Sequence, residues 1–341
     1  MSLSVLASLT VLALASFLLT GVIRRLLLHF QVLDVATGRS SHSGIQVRGG
    51  GLSFLLIFLV VIASGLLDPW LTANVRLALM GGGALVAGAG FWDDARQLAV
   101  LPRLVVQLVA AGWVVFMVGG VAIPEWILAP SLTGEVLAVV ILVWMINAFN
   151  FMDGIDGIAA TEAILVAVFA AVILYQCGDP AYLAWMCLGA AVLGFLPWNL
   201  PRARIFMGDT GSCFLGLTIG TLALASLHGG SPVSLWTWGI LMGAFLVDAT
   251  VTLVRRIIRG ETWHQAHRSH AYQHLSRKWG SHGRVTSLYA LVNLLVLGPA
   301  AYWTIVVPRD AAAIAMVVLL TLVLAALRIG AGLPDGPMRK V

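Results

Sequence analysis

Long apolar runs separated by short polar stretches dominate the chain. Eleven runs stand out, at roughly 3–23, 50–67, 75–92, 104–123, 136–150, 158–177, 181–197, 211–227, 235–254, 286–307 and 312–330. A transmembrane helix needs about 20 mostly apolar residues, so each run is predicted to span a membrane, although several are short or rich in glycine. The first run has no basic residue ahead of it, unlike a signal peptide, and is read as a span. The connections at 68–74, 124–135, 178–180, 228–234 and 308–311 are short and hold no chemically suggestive side chains. The remaining connections hold most of the Lys and Arg. No soluble domain, low-complexity tract or clear internal repeat is visible, which weighs against a transporter made of two related halves. The pattern predicts an all-α integral membrane protein, a polytopic bundle of about 11 transmembrane helices forming one domain over 1–341 with one working face.

Composition strengthens this reading. Of 341 residues, 60% are hydrophobic and 10% charged, whereas a soluble chain carries roughly 25% charged residues. Mean hydropathy is +0.96. A net charge of +5 would invite a nucleic-acid partner, but the positions of the charges exclude that need. Of the 20 Lys and Arg, only Arg76 and Arg309 fall on the side of the short connections. The bias places the N-terminus in the periplasm, and the C-terminus and the charged connections in the cytoplasm. Lipid headgroups and anionic substrates are secondary partners of this face. Cys177, Cys187 and Cys213 lie in or beside apolar runs with no metal-ligand spacing and read as small core residues.

The charged connections carry the candidate chemistry. In Asn147–Gly157, oxygen-bearing side chains recur every three residues, at Asn147, Asn150, Asp153 and Asp156. On a helix these would form adjacent pairs suited to a hard cation. Asp93 and Asp94 follow the third run; adjacent carboxylates repel unless a cation separates them, which suits a metal site or a general base. Asn199–Ser212 surrounds Asp209 with small residues ahead of a helix, leaving backbone N–H groups open to a phosphate, and Phe206 could stack on a base. The 255–285 loop holds seven Arg and Lys with His264, His267, His270, His274 and His282, a set suited to phosphates rather than zinc. The first such loop combines Asp34, Arg39 and His42 with Arg48-Gly49-Gly50-Gly51 and is weak alone. Asp248, deep in the ninth run, is a functional candidate as an intramembrane carboxylate, with a structural pairing to Arg255 or Arg256 as the plainer alternative. Carboxylates for a divalent ion beside Arg and His are the pattern of phosphoryl or phosphoglycosyl transfer, and the membrane boundary implies a lipid substrate.

In these segments the sequence resembles the polyprenyl-phosphate N-acetylhexosamine-1-phosphate transferases, which include the phospho-MurNAc-pentapeptide translocase and the GlcNAc-1-phosphate transferases that start O-antigen and teichoic-acid synthesis. The resemblance runs from Asp34 to His270, and Asn147–Gly157 together with Phe206–Ser212 is its specific part. It implies ten or eleven helices, a homodimer, and transfer of a sugar 1-phosphate from a UDP-sugar, a UDP-N-acetylhexosamine, to undecaprenyl phosphate with release of UMP. The cofactor it implies is Mg²⁺, with Mn²⁺ as an alternative. By position, Asp93 and Asp94 match an aspartate pair acting near the lipid phosphate, and Asn150 and Asp209 match metal ligands. Asp153 and Asp156 match an acidic loop near nucleotide and metal, Phe206 an aromatic that stacks on uracil, and Asn199 a uracil contact. Arg268 and His270 match the basic-loop motif, and Arg39 and His42 are assigned to substrate binding.

This chain departs from the family where it has His267, Ala271, Tyr272 and Gln273, and Ser40 in the first loop. The departures bear on the identity of the sugar and point toward initiators that accept deoxy sugars such as FucNAc or QuiNAc. His282, outside the motif, is expected to matter little. A transporter of a lipid-linked or anionic solute is the rival reading and predicts polar residues at mid-depth in several spans. The polar residues here cluster at one face, in the inner membrane facing the cytoplasm.

Overall fold

The computed structural model describes residues 3–31, 33–35, 45–96, 98–122, 129–228, 230, 232–262 and 267–334. All eleven apolar runs become helical. They give α1 (Leu3–His29), α2 (Leu52–Ala63), α3 (Ala73–Arg96), α4 (Val100–Val118), α5 (Pro130–Met152), α6 (Ile158–Gln176), α7 (Tyr182–Asn199) and α8 (Gly208–Ser226). The second half holds α9 (Leu235–Leu241), α10 (Gly243–Ile258), α11 (Ala271–Trp279), α12 (His282–Val292), α13 (Gly298–Val306) and α14 (Ala311–Ile329). Among the described residues, eight helices are long and apolar enough to cross a membrane, or nine if α9 and α10 form one span. The chain is a multi-pass membrane protein.

The elements differ from the expected spans in four places. α2 is only 12 residues long. The ninth run breaks between α9 and α10 with a bend of 81°. α8 starts at Gly208, so Asp209 through Ser212 form its first turn rather than a loop before it. The 255–285 loop folds into α11 and the start of α12, and a π-helical turn, Asn293–Leu297, joins α12 to α13. A short hairpin, β1 (Leu33–Val35) with β2 (Ile45–Val47), pairs Leu33 with Val47 in antiparallel register.

α8 is the centre of the bundle. Every residue in it except Ala225 is buried, and it packs chiefly against α3 and α5. Gly90 permits the α3 contact, because a Cβ there would sit 2.6 Å from the backbone nitrogen of Thr210. Side-chain contacts gather alternate helix ends at one face. Arg24 near the end of α1 donates to the carbonyl of Arg204 after α7 (3.0 Å). Asp94 near the end of α3 meets the start of α8, and Asn150 near the end of α5 reaches Ser212. Asp156 before α6 meets His282 at the start of α12. Arg255 near the end of α10 donates to the carbonyl of Ala331 after α14 (2.7 Å).

Candidate active site

Two loops are joined at this face by backbone pairing. The Phe206 N–H donates to the Val47 carbonyl (2.8 Å), and the Gly50 and Gly51 N–H groups donate to the carbonyls of Phe206 and Met207 (both 2.9 Å). The join holds Arg48 over the ends of α3 and α8. Its Nε lies 2.8 Å from Asp94 Oδ1, and its other arm pairs with Asp209 Oδ1. Arg103, in the first turn of α4, closes the arrangement at 3.0 Å from Asp93 Oδ2 and 3.6 Å from Asp209 Oδ2. Three carboxylates thus share two guanidinium groups in charge-assisted pairs, which are stronger than neutral hydrogen bonds.

The adjacent aspartates divide their work. Asp94 accepts the backbone N–H groups of Asp209 (2.8 Å) and Thr210 (3.1 Å) and the Thr210 hydroxyl (2.7 Å). It caps α8, and those N–H groups are taken, so the expectation that this helix start lies open to phosphate is corrected. Asp93 accepts from Leu98 N–H and lines a cavity of about 420 Å³. Asp209, Asn150, Arg103, His267 and His270 share that cavity, with walls from Leu104, Val106, Trp144 and Leu253. The polar end is therefore small and the rest is apolar.

Asn147 and Asn150 sit on the last turns of α5. Asn147 Nδ2 donates to Gln107 Oε1 (2.7 Å), and Asn150 Nδ2 donates to the Ser212 hydroxyl (3.1 Å). The three-residue spacing keeps its helical meaning only to Met152, where α5 ends. Asp153 is the half-buried C-cap. Desolvation pushes its carboxyl well above the usual range, opposed by Arg48 and reinforced by Asp209, Asp94 and Asp156.

Asp156 faces a second cavity, about 490 Å³, with Gln46, Arg202, Phe206 and His282. Its Oδ2 accepts from Ala203 N–H (3.2 Å), and its Oδ1 lies 3.2 Å from His282 Nδ1. His282 is therefore part of the site, contrary to expectation. Asn199, expected to contact a base, is 2% exposed. Its oxygen accepts from Gly157 N–H and its nitrogen donates to the Ile205 carbonyl (both 3.1 Å). As placed, it shapes the loops carrying Asp156 and Phe206.

The basic segment also separates. His267 and His270 line the first cavity with ring centroids 4.9 Å apart. Burial, then the charges of His270 and Arg256, push His267 down to about 3, which keeps the ring neutral. Its Nδ1 lies 2.9 Å from the Ser269 hydroxyl. Asp248 pairs with neither Arg255 nor Arg256. It accepts the N–H groups of Ala271 (2.8 Å) and Tyr272 (3.1 Å), capping α11, and lies 3.4 Å from His270 Nδ1. Tyr272 donates to the Phe151 carbonyl (2.9 Å) and abuts Gly154, where a Cβ would run into its hydroxyl. Arg268 is half-buried and lines neither cavity; its carbonyl accepts from Arg277 (2.9 Å). His274 pairs with Arg277 instead (3.1 Å). Arg39, His42 and His264 lie outside the described residues.

A family model described as Glycosyl transferase family 4 matches residues 76–227. The decaprenyl-phosphate N-acetylglucosaminephosphotransferase of Mycobacterium tuberculosis (strain ATCC 25618 / H37Rv) is 30% identical over 342 residues, covering 89% of this chain and 83% of its own. The chain belongs to glycosyl transferase family 4. The probable undecaprenyl-phosphate N-acetylglucosaminyl 1-phosphate transferase of Bacillus subtilis (strain 168) is 29% identical over 304 residues, 84% of this chain and 83% of that protein. The phospho-N-acetylmuramoyl-pentapeptide-transferase of Synechococcus sp. (strain WH7803) is 31% identical over 216 residues, 60% and 53% of the two chains.

The family 4 match includes Asp93, Asp94, Asn150, Asp156 and Asp209 and stops before α9. Arg48 and His270 lie outside it. Sequence reasoning gives Arg103 and Gln107 no site role, and it places Arg48 in the first charged loop and His282 in the basic segment without setting either apart. Arg103 reads only as an orientation charge, and Gly49-Gly50-Gly51 directly after Arg48 is the signal there, marking a close backbone approach. For a metal, no group of three or more His, Cys, Asp or Glu stands ready among the described residues. Asp209 and Asn150 line one cavity with oxygen donors only. That set fits Mg²⁺, which takes one or two protein ligands and completes its shell with water and phosphate.

Proposed function

We propose that this family 4 member transfers an N-acetylhexosamine 1-phosphate from a UDP-sugar to undecaprenyl phosphate, releasing UMP and starting an O-antigen or another envelope polysaccharide. The observation that carries the reading is the Arg48–Asp94–Asp209–Arg103–Asp93 network, whose Asp93, Arg103 and Asp209 line the polar end of a mostly apolar cavity. An amphiphile with an anionic head matches that shape. In this reading its phosphate meets Arg103, His267 and His270, and its hydrocarbon lies along Leu104, Val106, Trp144 and Leu253. The uridine occupies the second cavity against Phe206. The relatives named for polyprenyl-phosphate substrates support the assignment.

A lipid phosphate oxygen attacks the β-phosphorus. The new P–O bond forms as the bond from that phosphorus to the bridging oxygen breaks, and the electron pair leaves with UMP. Asp93 faces the first cavity and is placed to take a proton from a monoprotonated lipid phosphate. Arg48 and Arg103 neutralise charge on the transferring group. Asn150 and Asp209 would hold Mg²⁺, which when bound supplies Lewis-acid neutralisation of the diphosphate. In this reading the bundle lies in the bacterial inner membrane and the face carrying the site is cytoplasmic, as the distribution of Lys and Arg supports.

The test is UMP release by purified protein with undecaprenyl phosphate and Mg²⁺ across UDP-GlcNAc, UDP-FucNAc and UDP-QuiNAc. Release with one of them, dependent on the lipid, is expected. No release with any UDP-sugar overturns the reading.

A further inference from the structure

His282, Thr286, Tyr289 and Asn293 follow one another at spacings of four, three and four, which puts them on one strip of a helix. Each of the four is engaged on an acidic residue. His282 Nδ1 lies 3.2 Å from Asp156 Oδ1, and the Thr286 hydroxyl donates to the Asp156 carbonyl (2.9 Å). The Tyr289 hydroxyl donates to Asp248 Oδ2 (2.9 Å). Asn293 Nδ2 donates to Glu162 Oε2 (2.6 Å) and to the Tyr289 carbonyl (3.0 Å). Thr286, Asn293, Glu162, Asp248 and Asp156 are all buried, so these bonds form away from water, where geometry is strictly held.

The strip joins the two cavities. Asp156 lines the second. Asp248 caps α11 and contacts His270, which lines the first. From His282 to Tyr289 the helix rises about 10 Å at 1.5 Å per residue, a fixed length. Its inner end is fastened where the π-helical turn begins, at Asn293, to Glu162 on α6. α6 itself follows directly from the Asp156–Gly157 turn. A carboxylate inside a span is costly and is kept for a reason, and here its partner is the foot of α12.

We infer that α12 is a strut that sets the separation of Asp156 and His270, with Tyr289 and His282 as its two positioning residues. Tyr289 acts on His270 through Asp248, and His282 acts on Asp156 directly. Tyr289 lines neither cavity, and His282 lines the second, where it holds Asp156. The inference rests on the proposed reaction only for which step each end serves. Tyr289→Phe removes one hydrogen bond to a charged group and little volume, so it should lower kcat about tenfold with KM for the UDP-sugar unchanged. His282→Ala should instead raise that KM by about tenfold, and His282→Asn, which keeps a hydrogen-bonding side chain, should restore part of it.

Two measurements test this. In a cycle with His270→Gln, Tyr289→Phe should cost nothing further, because its effect passes through His270. Amide exchange reads the strut without turnover. Tyr289→Phe should speed exchange in residues 270–276 about tenfold and leave 154–158 unchanged, and His282→Ala should do the reverse. Equal changes at both ends, no change at either, or additive losses in the cycle would overturn the strut. A wild-type control that releases no UMP would instead refute the reaction, and the exchange result would still decide the strut.

Discussion

Arg48→Met isolates the residue that holds the site together. The Arg48 side chain is 29% exposed, whereas the carboxyls it pairs with are 1% (Asp94) and 10% (Asp209) exposed. Removing one partner of a buried pair costs about 3–5 kcal/mol, because the other charge is left uncompensated. Two features reduce that figure. Asp94 keeps three donors from Asp209 and Thr210, and Arg103 stands 3.6 Å from Asp209 Oδ2. The expected loss is about 2–3 kcal/mol, equivalent to a fall of roughly 3–4 °C in the melting temperature of the detergent-purified protein. Arg48→Lys keeps the charge but cannot fork across two carboxylates, so it should recover only about half. Adding Asp94→Asn to Arg48→Met removes the stranded charge and should restore stability without restoring turnover. Thermal unfolding followed by tryptophan fluorescence, with UMP release in parallel, reads all three variants. If Arg48→Met melts within about 1 °C of wild type, the pairs are surface contacts and the network does not organise the site.

Four further outcomes are expected. Asp209→Asn keeps its shape but loses the charge that would hold the metal, so turnover should fall about 10²–10⁴-fold; near-normal turnover at ordinary Mg²⁺ would remove Asp209 from the metal site. Gly154→Ala forces the loop away from the Tyr272 hydroxyl and should destabilise by about 1–3 kcal/mol as overpacking does, with partial rescue by Tyr272→Phe in the same melting assay. Folding lowers His267 from 6.5 to about 3, so the folded segment binds fewer protons than the open one. Its contribution to stability is present above pH 6.5 and is lost as pH falls toward 3; amide exchange at 267–276, corrected for intrinsic rates, should rise between pH 7 and pH 5, and a flat profile would contradict the shift. Ser131→Cys should label with an impermeant thiol reagent from the periplasm and Lys278→Cys should not; the opposite result reverses the orientation.

The fold class was legible because lipid imposes a length and a polarity on every span. Crossing geometry was less so. Little in Leu235–Ile258 marks the 81° break between Leu241 and Gly243: neither Pro nor charge lies at the joint, and Gly243 is the one local signal there. The site was legible where function placed carboxylates against lipid, as at Asp93, Asp156 and Asp209. What each does was not. Asp93 and Asp94 are neighbours in sequence, yet one faces a cavity and the other caps α8, because successive helical positions point about 100° apart. His282 looked expendable because no motif contains it; its relation to Asp156 spans 126 positions and exists only through the α12 packing.

The burial of α8 bears on how the protein enters the membrane. Nearly every residue of this helix is covered by other helices, and it carries Asp209, Thr210, Ser212, Thr218, Thr221 and Ser226 among its buried positions. An aspartate near the centre of an inserting helix costs about 2.5–3.5 kcal/mol, less toward its end, and the hydroxyls weaken insertion further. Alone in the translocon, this segment is a poor candidate for partition into lipid. Synthesis order supplies the remedy. α3 and α5, its principal neighbours, precede it by more than 50 residues and offer the Asp94 and Asn150 partners its first turn requires. The partners that offset these polar groups belong to helices made earlier, so insertion of α8, which completes the face carrying the candidate site, is expected to depend on a correctly assembled first half.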